Sequence, residues 1–579
     1  METHTFEITS GKRAFQLLFL FLLLLALLLP RALELSRYVT VDEPTWLIRS
    51  ANFYQALAAG DWKDTFQREH PGVTIMWAGT FGFLLRFPDY ARLVDSQLVN
   101  PEALDTFLGQ YHHTSLGVLV AGRLVAILGV TLAILLSLPA LARLIGWLPA
   151  FLAIFLVALD PYFIALSRLL HLDGPVAAWM LLSLLSFMSY LYRGKRRSDL
   201  LISAASAGLA WLTKSPALFL IPFFGLLVLL QLLDGWKQDG WRQLRSWKEA
   251  FKAIWHLGKP YLLWLLFASL VFVLLWPAMW VDPLNSLARI FSQATTYAAE
   301  GQDSATFFMG HVYQPGQSPW FFYPVSLLWR LTPPVSLGLL LAMLAWLFPR
   351  QASLTPEHKQ VIQVLSLFTI LFVVFISLSQ KKADRYQIPV QPALCIIAAL
   401  GWLTWARWLF QWVWPRLPAN LSNRLSQSTS VLLVIVAGMV VFWQFLGPLQ
   451  TFPYYDYYND LLGGSRAATG VMMIGRGEGL DQAARYLNSL PNAGELVAMA
   501  RYNKGCVSYY FNGRVLGMED TATLDDLKKA DYVIMYIHQW QRQIPSKEAL
   551  DYLRTLKPVF VARIDGLDYA EVYDMRNAK

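Results

Sequence analysis

Long apolar runs constrain this chain more than any other feature. The first of them, residues 15–29, is almost pure Leu and Phe. A helix crossing the hydrocarbon core needs roughly 20 mainly apolar residues, and backbone in lipid must satisfy its own hydrogen bonds. By that rule the chain holds about eleven spans. They are predicted at residues 15–35, 115–138, 148–166, 175–192, 200–212, 217–233, 261–280, 324–348, 361–378, 388–412 and 431–446. Lys214-Ser215-Pro216 splits the fifth from the sixth. Proline disfavours helix in the residue before it and lysine is costly in lipid, so this break is placed at a membrane surface. Composition agrees: 56% of residues are hydrophobic and 15% charged, against about a quarter charged in soluble domains. The expected fold class is an α-helical polytopic membrane protein.

Lys12 and Arg13 precede the first run, as in a signal peptide. A signal has a shorter apolar region and a small-residue cleavage site, and Pro30-Arg31-Ala32-Leu33-Glu34 offers none, so an uncleaved span is expected. The net charge is +9. Most basic residues fall in short loops between apolar runs, so topology explains them better than nucleic acid, and no nucleic-acid partner is expected. Placing the N-terminus in the cytoplasm puts Arg193-Gly194-Lys195-Arg196-Arg197 inside. Arg242, Arg245, Lys248 and Lys252, then Arg350, Lys359, Arg407, Arg416 and Arg424, also fall inside, which is the positive-inside pattern of a plasma-membrane protein. The outside then holds Asp42, Glu43, Glu69, His70, Arg168, His171, Asp173, Lys214, residues 282–317 and Lys381-Lys382-Ala383-Asp384-Arg385. That last basic group breaks the charge rule, which suggests a task other than topology. Residues 36–113 read as a first outer loop whose Trp46, Trp62 and Trp77 suggest surface-lying helices.

After residue 446 Gly, Asn and charged residues rise and short periodic elements appear. Helices are expected at 480–490, 524–529 and 547–556, and strands at 495–500, 532–537, 559–564 and 569–573. Their alternation predicts a small α/β domain, extracytoplasmic if the span count is odd. The expected division is therefore 1–448, a transmembrane domain, and 449–579, the α/β domain. Cys395 falls in an apolar run and Cys506 in the polar tail, so neither a disulfide nor a cysteine metal site is expected.

The candidate chemistry starts at Tyr38-Val39-Thr40-Val41-Asp42-Glu43-Pro44. The acid pair follows the first span directly. It is either a solvated helix end or a reaction centre, where partial desolvation would raise basicity and let a carboxylate take a proton from a hydroxyl. Gln67-Arg68-Glu69-His70-Pro71-Gly72 lies in the same outer segment. It is a capped turn or an acceptor-side wall; Glu69 and His70 could be half a metal site, but no second ligand pair has diagnostic spacing. Before the fourth span stands Ser167-Arg168-Leu169-Leu170-His171-Leu172-Asp173-Gly174-Pro175. Asp173 is a helix cap or a ligand for sugar hydroxyls, beside His171, with Arg168 holding a phosphate or the carboxylate pair. Lys214 snorkels or binds ligand. Lys381, Lys382 and Arg385 bind a phosphate or lipid headgroups. Arg330 snorkels or helps neutralise the same phosphate, and His311 lies in an aromatic loop that could line a substrate groove. Together these groups fit one job: transfer from a lipid-linked phosphate donor to a hydroxyl.

These motifs resemble the GT-C superfamily of membrane glycosyltransferases, and within it the protein O-mannosyltransferases (glycosyltransferase family 39) and the lipid A aminoarabinose transferases. The resemblance rests on Asp42-Glu43, His70-Pro71, Leu172-Asp173-Gly174-Pro175, Leu212-Thr213-Lys214-Ser215-Pro216 and Lys381-Lys382-Ala383-Asp384-Arg385-Tyr386 with Pro389 and Pro392. It covers about residues 15–411. The tail, with Leu462-Gly463-Gly464-Ser465-Arg466 and Gly475-Arg476-Gly477-Glu478-Gly479, looks like that of bacterial members and has no β-trefoil insert. The resemblance implies a polyprenyl-phosphate sugar donor, mannose in the first instance, a hydroxyl acceptor on protein, glycan or lipid, and an inverting displacement outside the plasma membrane. It implies Asp42 as base, Glu43 positioning it, and Lys381, Lys382 and Arg385, helped by Arg168 and Lys214, stabilising the leaving phosphate. Cationic side chains could then replace a metal, and no cofactor is expected. The alternative is a transporter or flippase of lipid-linked sugars, which would share the phosphate site without needing a base; no repeat symmetry between halves supports it.

Overall fold

A computed structural model describes residues 10–239, 247–300, 304–413 and 429–578. The expected loop residues Arg242, Arg245, Arg416 and Arg424 lie outside the described residues. All eleven expected apolar segments are helical. Six helices are long and apolar enough to cross a membrane: Ser115–Ile145, Asp173–Tyr192, Ser215–Asp234, Pro356–Ser377, Asp384–Val413 and Val431–Thr451. Two bent pairs raise the number to eight among the described residues: Trp147–Ala158 with Pro161–Ser167, bent by 63°, and Phe322–Arg330 with Pro333–Leu347, bent by 114°. The other three expected spans are helical as well. Helix Ser10–Ala32 has 23 residues and Trp247–Leu274 has 28, and their described apolar stretches are Leu17–Ala32 and Gly258–Leu274. Arg197–Thr213 has 17 residues and starts on Arg197 and Asp199; at 1.5 Å per residue it reaches about 26 Å, less than a hydrocarbon core of about 30 Å. The chain is a multi-pass membrane protein, and among the described residues up to eight spans meet this test of length and hydropathy.

Polar caps and prolines set where the helices begin. Asp160 accepts a hydrogen bond from the Phe163 N–H at 2.7 Å, and Pro161 opens the helix it caps. Thr355 does the same for His358 at 3.2 Å ahead of Pro356. In each case an orphan N–H is satisfied and a missing one is harmless. Small residues set how closely the helices pack. A Cβ on Gly401 would lie 2.1 Å from the Gly338 carbonyl oxygen, and one on Gly82 would lie 2.7 Å from the Gly122 nitrogen. Backbones in contact at such points gain dispersion that no larger residue allows.

Residues 36–113 are not a set of helices lying loosely on the surface. Helix Glu43–Ala59 buries ten of its side chains, Trp46 among them. Trp46 packs so closely beneath Gly72 that a Cβ there would lie 2.2 Å from the indole. Helix Val73–Arg86 packs against Ser115–Ile145. The apolar face of Glu43–Ala59 meets protein, while Val73–Arg86 leaves Phe81, Leu84 and Leu85 exposed on its outer face.

The short strands β1 (Thr306–Phe308) and β2 (His311–Tyr313) form an antiparallel hairpin. In the tail, β3 (Val497–Ala500), β4 (Arg514–Gly517), β5 (Tyr532–Tyr536), β6 (Phe560–Ile564) and β7 (Leu567–Asp574) form one sheet in the order β4-β3-β5-β7-β6. The β3 contacts are parallel and those of β7 antiparallel. Central β5 is buried throughout. The tail is not a separate bead: one continuous apolar cluster runs from Leu27 and Val130 through Tyr454 to Ile534 and Val572. Tyr510 Oη donates to the Ser36 carbonyl at 2.9 Å, and the Asn459 N–H to that of Trp329 at 2.8 Å. Cys395 and Cys506 are free and buried.

Candidate active site

Four helix ends meet at one end of the bundle. Asp42 precedes helix Glu43–Ala59 and makes no side-chain cap bond to it. His171 and Asp173 stand at the start of Asp173–Tyr192, Lys214 follows Arg197–Thr213, and Arg385 opens the turn Asp384–Val390. Their side chains close an ionic ring. Asp42 Oδ2 lies 2.9 Å from Arg385 Nη1 and 3.3 Å from His171 Nε2. Asp173 Oδ2 lies 3.3 Å from His171 Nδ1 and 3.3 Å from Arg385 Nε. Lys214 Nζ is 2.6 Å from Asp173 Oδ1 and 4.1 Å from the Tyr386 ring centroid. Asp173 is buried while Asp42 is 36% exposed, so Asp42 is the carboxylate a substrate can reach.

Asp42 is not made more basic. Burial pushes its carboxyl up, but Arg385, then His171 and Lys214, outweigh burial and hold it well below the usual carboxylate range. The expectation of a desolvated, basic acid is corrected here: the cations around Asp42 decide its state. His70, in the turn that sends its Nδ1 to within 3.4 Å of Ser215 Oγ, is pushed down to about 3 by burial, then by Lys214 and Lys381. It is a neutral side chain at physiological pH.

Asp42 opens onto a cavity of about 370 Å³ that also takes in Thr306 and Phe307 of β1, Lys381, Lys382, Arg385, Tyr386, Gly475, Arg476 and Tyr502. Lys382 Nζ donates to the carbonyls of Ser318 and Pro319 at 2.9 and 3.1 Å. The structure therefore brings Asp42, His171, Asp173, Lys214, Lys381, Lys382 and Arg385 together, with His70 beside them.

Other expected residues stand elsewhere. Glu43 is enclosed: it accepts from Arg123 Nε at 2.7 Å, Thr40 N at 3.0 Å, Thr40 Oγ1 at 3.1 Å and Leu170 N at 2.9 Å. It fixes the turn that carries Asp42 and does not line the Asp42 cavity. Arg168 donates to the carbonyls of Pro453 and Leu33, with its guanidinium over Tyr455. It ties three segments together and reaches no phosphate site. Arg330 is buried among Asp384 at 2.6 Å, Asp456 at 2.8 Å and the Tyr457 carbonyl at 2.8 Å, one layer behind Arg385. Glu69 pairs with Arg289 at 3.0 Å. His311 is exposed on β2 and does not line the cavity, although neighbouring β1 does. Among the described residues no group of three or more His, Cys, Asp or Glu has metal-site geometry. The residue missed from sequence is Arg476. Its signal was the alternation Gly475-Arg476-Gly477-Glu478-Gly479, in which all three glycines adopt positive φ.

Residues 114–286 match the family model described as dolichyl-phosphate-mannose-protein mannosyltransferase. Sequence comparison with curated proteins gives no match. Among solved structures, ArnT from Cupriavidus metallidurans bound to undecaprenyl phosphate has the same fold over nearly the whole length. The TM-score is 0.50 at 15% identity, over 97% of this chain and 98% of that one. The Saccharomyces cerevisiae protein O-mannosyltransferase Pmt1-Pmt2 complex bound to the sugar donor matches with a TM-score of 0.34 and 18% identity, over 47% of this chain and 34% of that one. The archaeal oligosaccharyltransferase AglB from Archaeoglobus fulgidus, in complex with an inhibitory peptide and a dolichol-phosphate, gives 0.43 and 12%, over 95% and 73%.

Proposed function

We propose that this chain, a membrane glycosyltransferase of the GT-C type, moves one sugar, mannose in our reading, from a polyprenyl-phosphate donor to an acceptor hydroxyl at the outer membrane face. One observation carries the proposal: a reachable carboxylate, Asp42, sits 2.9 Å from a guanidinium, Arg385, that shares its cavity with Lys381 and Lys382. Base and phosphate clamp stand together, as a single in-line displacement requires.

The low basicity of Asp42 in the resting site becomes part of the mechanism. The donor phosphate draws Arg385 to itself through charge-assisted, fork-shaped hydrogen bonds. Arg385 then neutralises Asp42 less, and the carboxylate regains basicity when the acceptor hydroxyl arrives. Asp42 takes the hydroxyl proton as the oxygen attacks the anomeric carbon, and the phosphate leaves with its electron pair. Arg385, Lys381 and Lys382 stabilise the charge that grows on it. Asp173 and Lys214 hold Arg385 and His171 in register from behind.

The basic loop Arg193-Gly194-Lys195-Arg196-Arg197 joins helix ends opposite to Asp173 and Lys214. With that loop cytoplasmic, Asp42 and the tail are extracytoplasmic. The test is turnover by purified protein in nanodiscs given polyprenyl-phosphate mannose and cell-envelope acceptor. Released polyprenyl phosphate and a product of inverted anomeric configuration are expected. Retained configuration would overturn the single displacement, and turnover only with another sugar would replace mannose.

A further inference from the structure

The tail supplies a cavity wall that the proposed chemistry has not yet used. The strap Gly475-Arg476-Gly477 is pinned on both sides. The Gly477 N–H donates to Tyr536 Oη, at the end of β5, at 2.9 Å. A Cβ on Gly477 would lie 2.7 Å from the Val39 carbonyl oxygen, so the strap lies directly on the turn that carries Asp42. Positive φ at Gly475 and Gly477 allows that path, and Arg476 between them lines the cavity with Lys381 and Arg385.

Arg476 has carboxylates near it but is bound to none by a side-chain hydrogen bond. Its nearest contacts are 3.7 Å to Asp456 and 3.8 Å to Glu478. Asp456 is already engaged: one oxygen accepts from Arg330 at 2.8 Å, the other from Tyr458 at 3.2 Å and Tyr569 at 2.9 Å. Burial and the nearby Asp456 push the Glu478 carboxyl up, so it is a weakened counter-ion. Arg476 Nη1 is buried with no hydrogen-bond partner. A guanidinium N–H left so is costly, and an anionic acceptor relieves it. The face of Tyr162 lies 5.4 Å from the guanidinium carbon and steadies the plane.

We propose that Arg476 is a ligand of the donor's phosphate, closing the clamp of Lys381 and Arg385 from the tail side. The proposal rests on the transferase reading for its substrate, and its test separates the two. Binding of polyprenyl phosphate is measured in zwitterionic nanodiscs for the wild type, Arg476→Gln, Arg476→Lys and the exposed control Arg514→Gln, each with its melting temperature. Arg476→Gln is expected to weaken binding about tenfold or more and to raise the donor KM. Arg476→Lys should recover part of the loss, and Arg514→Gln should bind like the wild type. Unchanged affinity in Arg476→Gln would overturn the assignment, even if turnover falls. Should Arg476→Gln fail to fold, Arg476→Lys decides: weaker binding at an unchanged melting temperature supports the role, and unchanged binding overturns it. Displacement of polyprenyl phosphate by phosphatidylglycerol would reduce the site to a general headgroup contact and overturn it as well. A wild type that binds polyprenyl phosphate but transfers no sugar fails the transferase reading and leaves the binding result standing; one that does not bind it fails both.

Discussion

Adjacent carboxylates at residues 42 and 43 meet opposite fates. Asp42 faces the cavity, and Glu43 is sealed beneath it with Arg123. Glu43→Ala should therefore act on stability. It leaves a buried guanidinium without its partner, which costs about 3–5 kcal/mol, and the melting temperature should fall steeply. Donor affinity lost at an unchanged melting temperature would contradict this. His70 gives a second prediction. The unfolded side chain takes a proton below about 6.5, while the folded one stays neutral until about 3. Across that window the unfolded state binds more protons, so stability drops as pH falls. The melting-temperature loss between pH 7 and pH 5 should be smaller in His70→Gln. At this scale the grouping of the candidate site was largely legible, because Asp42, Asp173, Lys214 and Arg385 all flank helix breaks. Which of two neighbouring acids is buried depends on Arg123, inside a helix far along the chain, and no local pattern announces that.

Elements position these side chains through a few close approaches. Gly477 lies against the 38–43 turn at a φ of +126°. Gly477→Ala has no room there and no comfortable backbone conformation. It should shift the strap off the Asp42 turn, lowering both turnover and melting temperature; a variant that turns over like the wild type would show that the strap does not hold the turn. The apolar helices were readable from their length, and four of the tail's five strands from alternation with helices; the half-exposed β4 and the helix Pro283–Glu300, in what read as an outer loop, were not. Nor was the lie of Glu43–Ala59. An amphipathic helix with tryptophans has the same periodicity whether it meets lipid or protein, and here Trp46 meets Gly72. Hydropathy also runs straight through the bends at Pro161 and Pro333, which only cap geometry reveals.

The whole molecule behaves as one body because the tail completes the bundle's charge pairs. Arg330, between two bent helices, is neutralised by Asp384 from the bundle and Asp456 from the tail. Removing residues 455–579 would leave Arg330 with one of its two carboxylates and take Tyr455 from the face of Arg168. The shortened chain should not run as a monodisperse species in detergent, and the full chain should unfold in one transition. Two separate transitions would make the tail an independent module. The order and spacing of motifs made the proposed class of enzyme legible, whereas the sharing of one cavity between bundle and tail follows from tertiary docking alone.

The central claim is that Asp42 takes the acceptor's proton beside a cationic phosphate clamp. Its most direct test follows polyprenyl-phosphate release in nanodiscs by the wild type and Asp42→Asn, with donor binding measured on the same samples. Loss of general base catalysis should slow release about 10²- to 10⁴-fold while the variant still binds donor. Equal turnover by the two proteins would contradict the account.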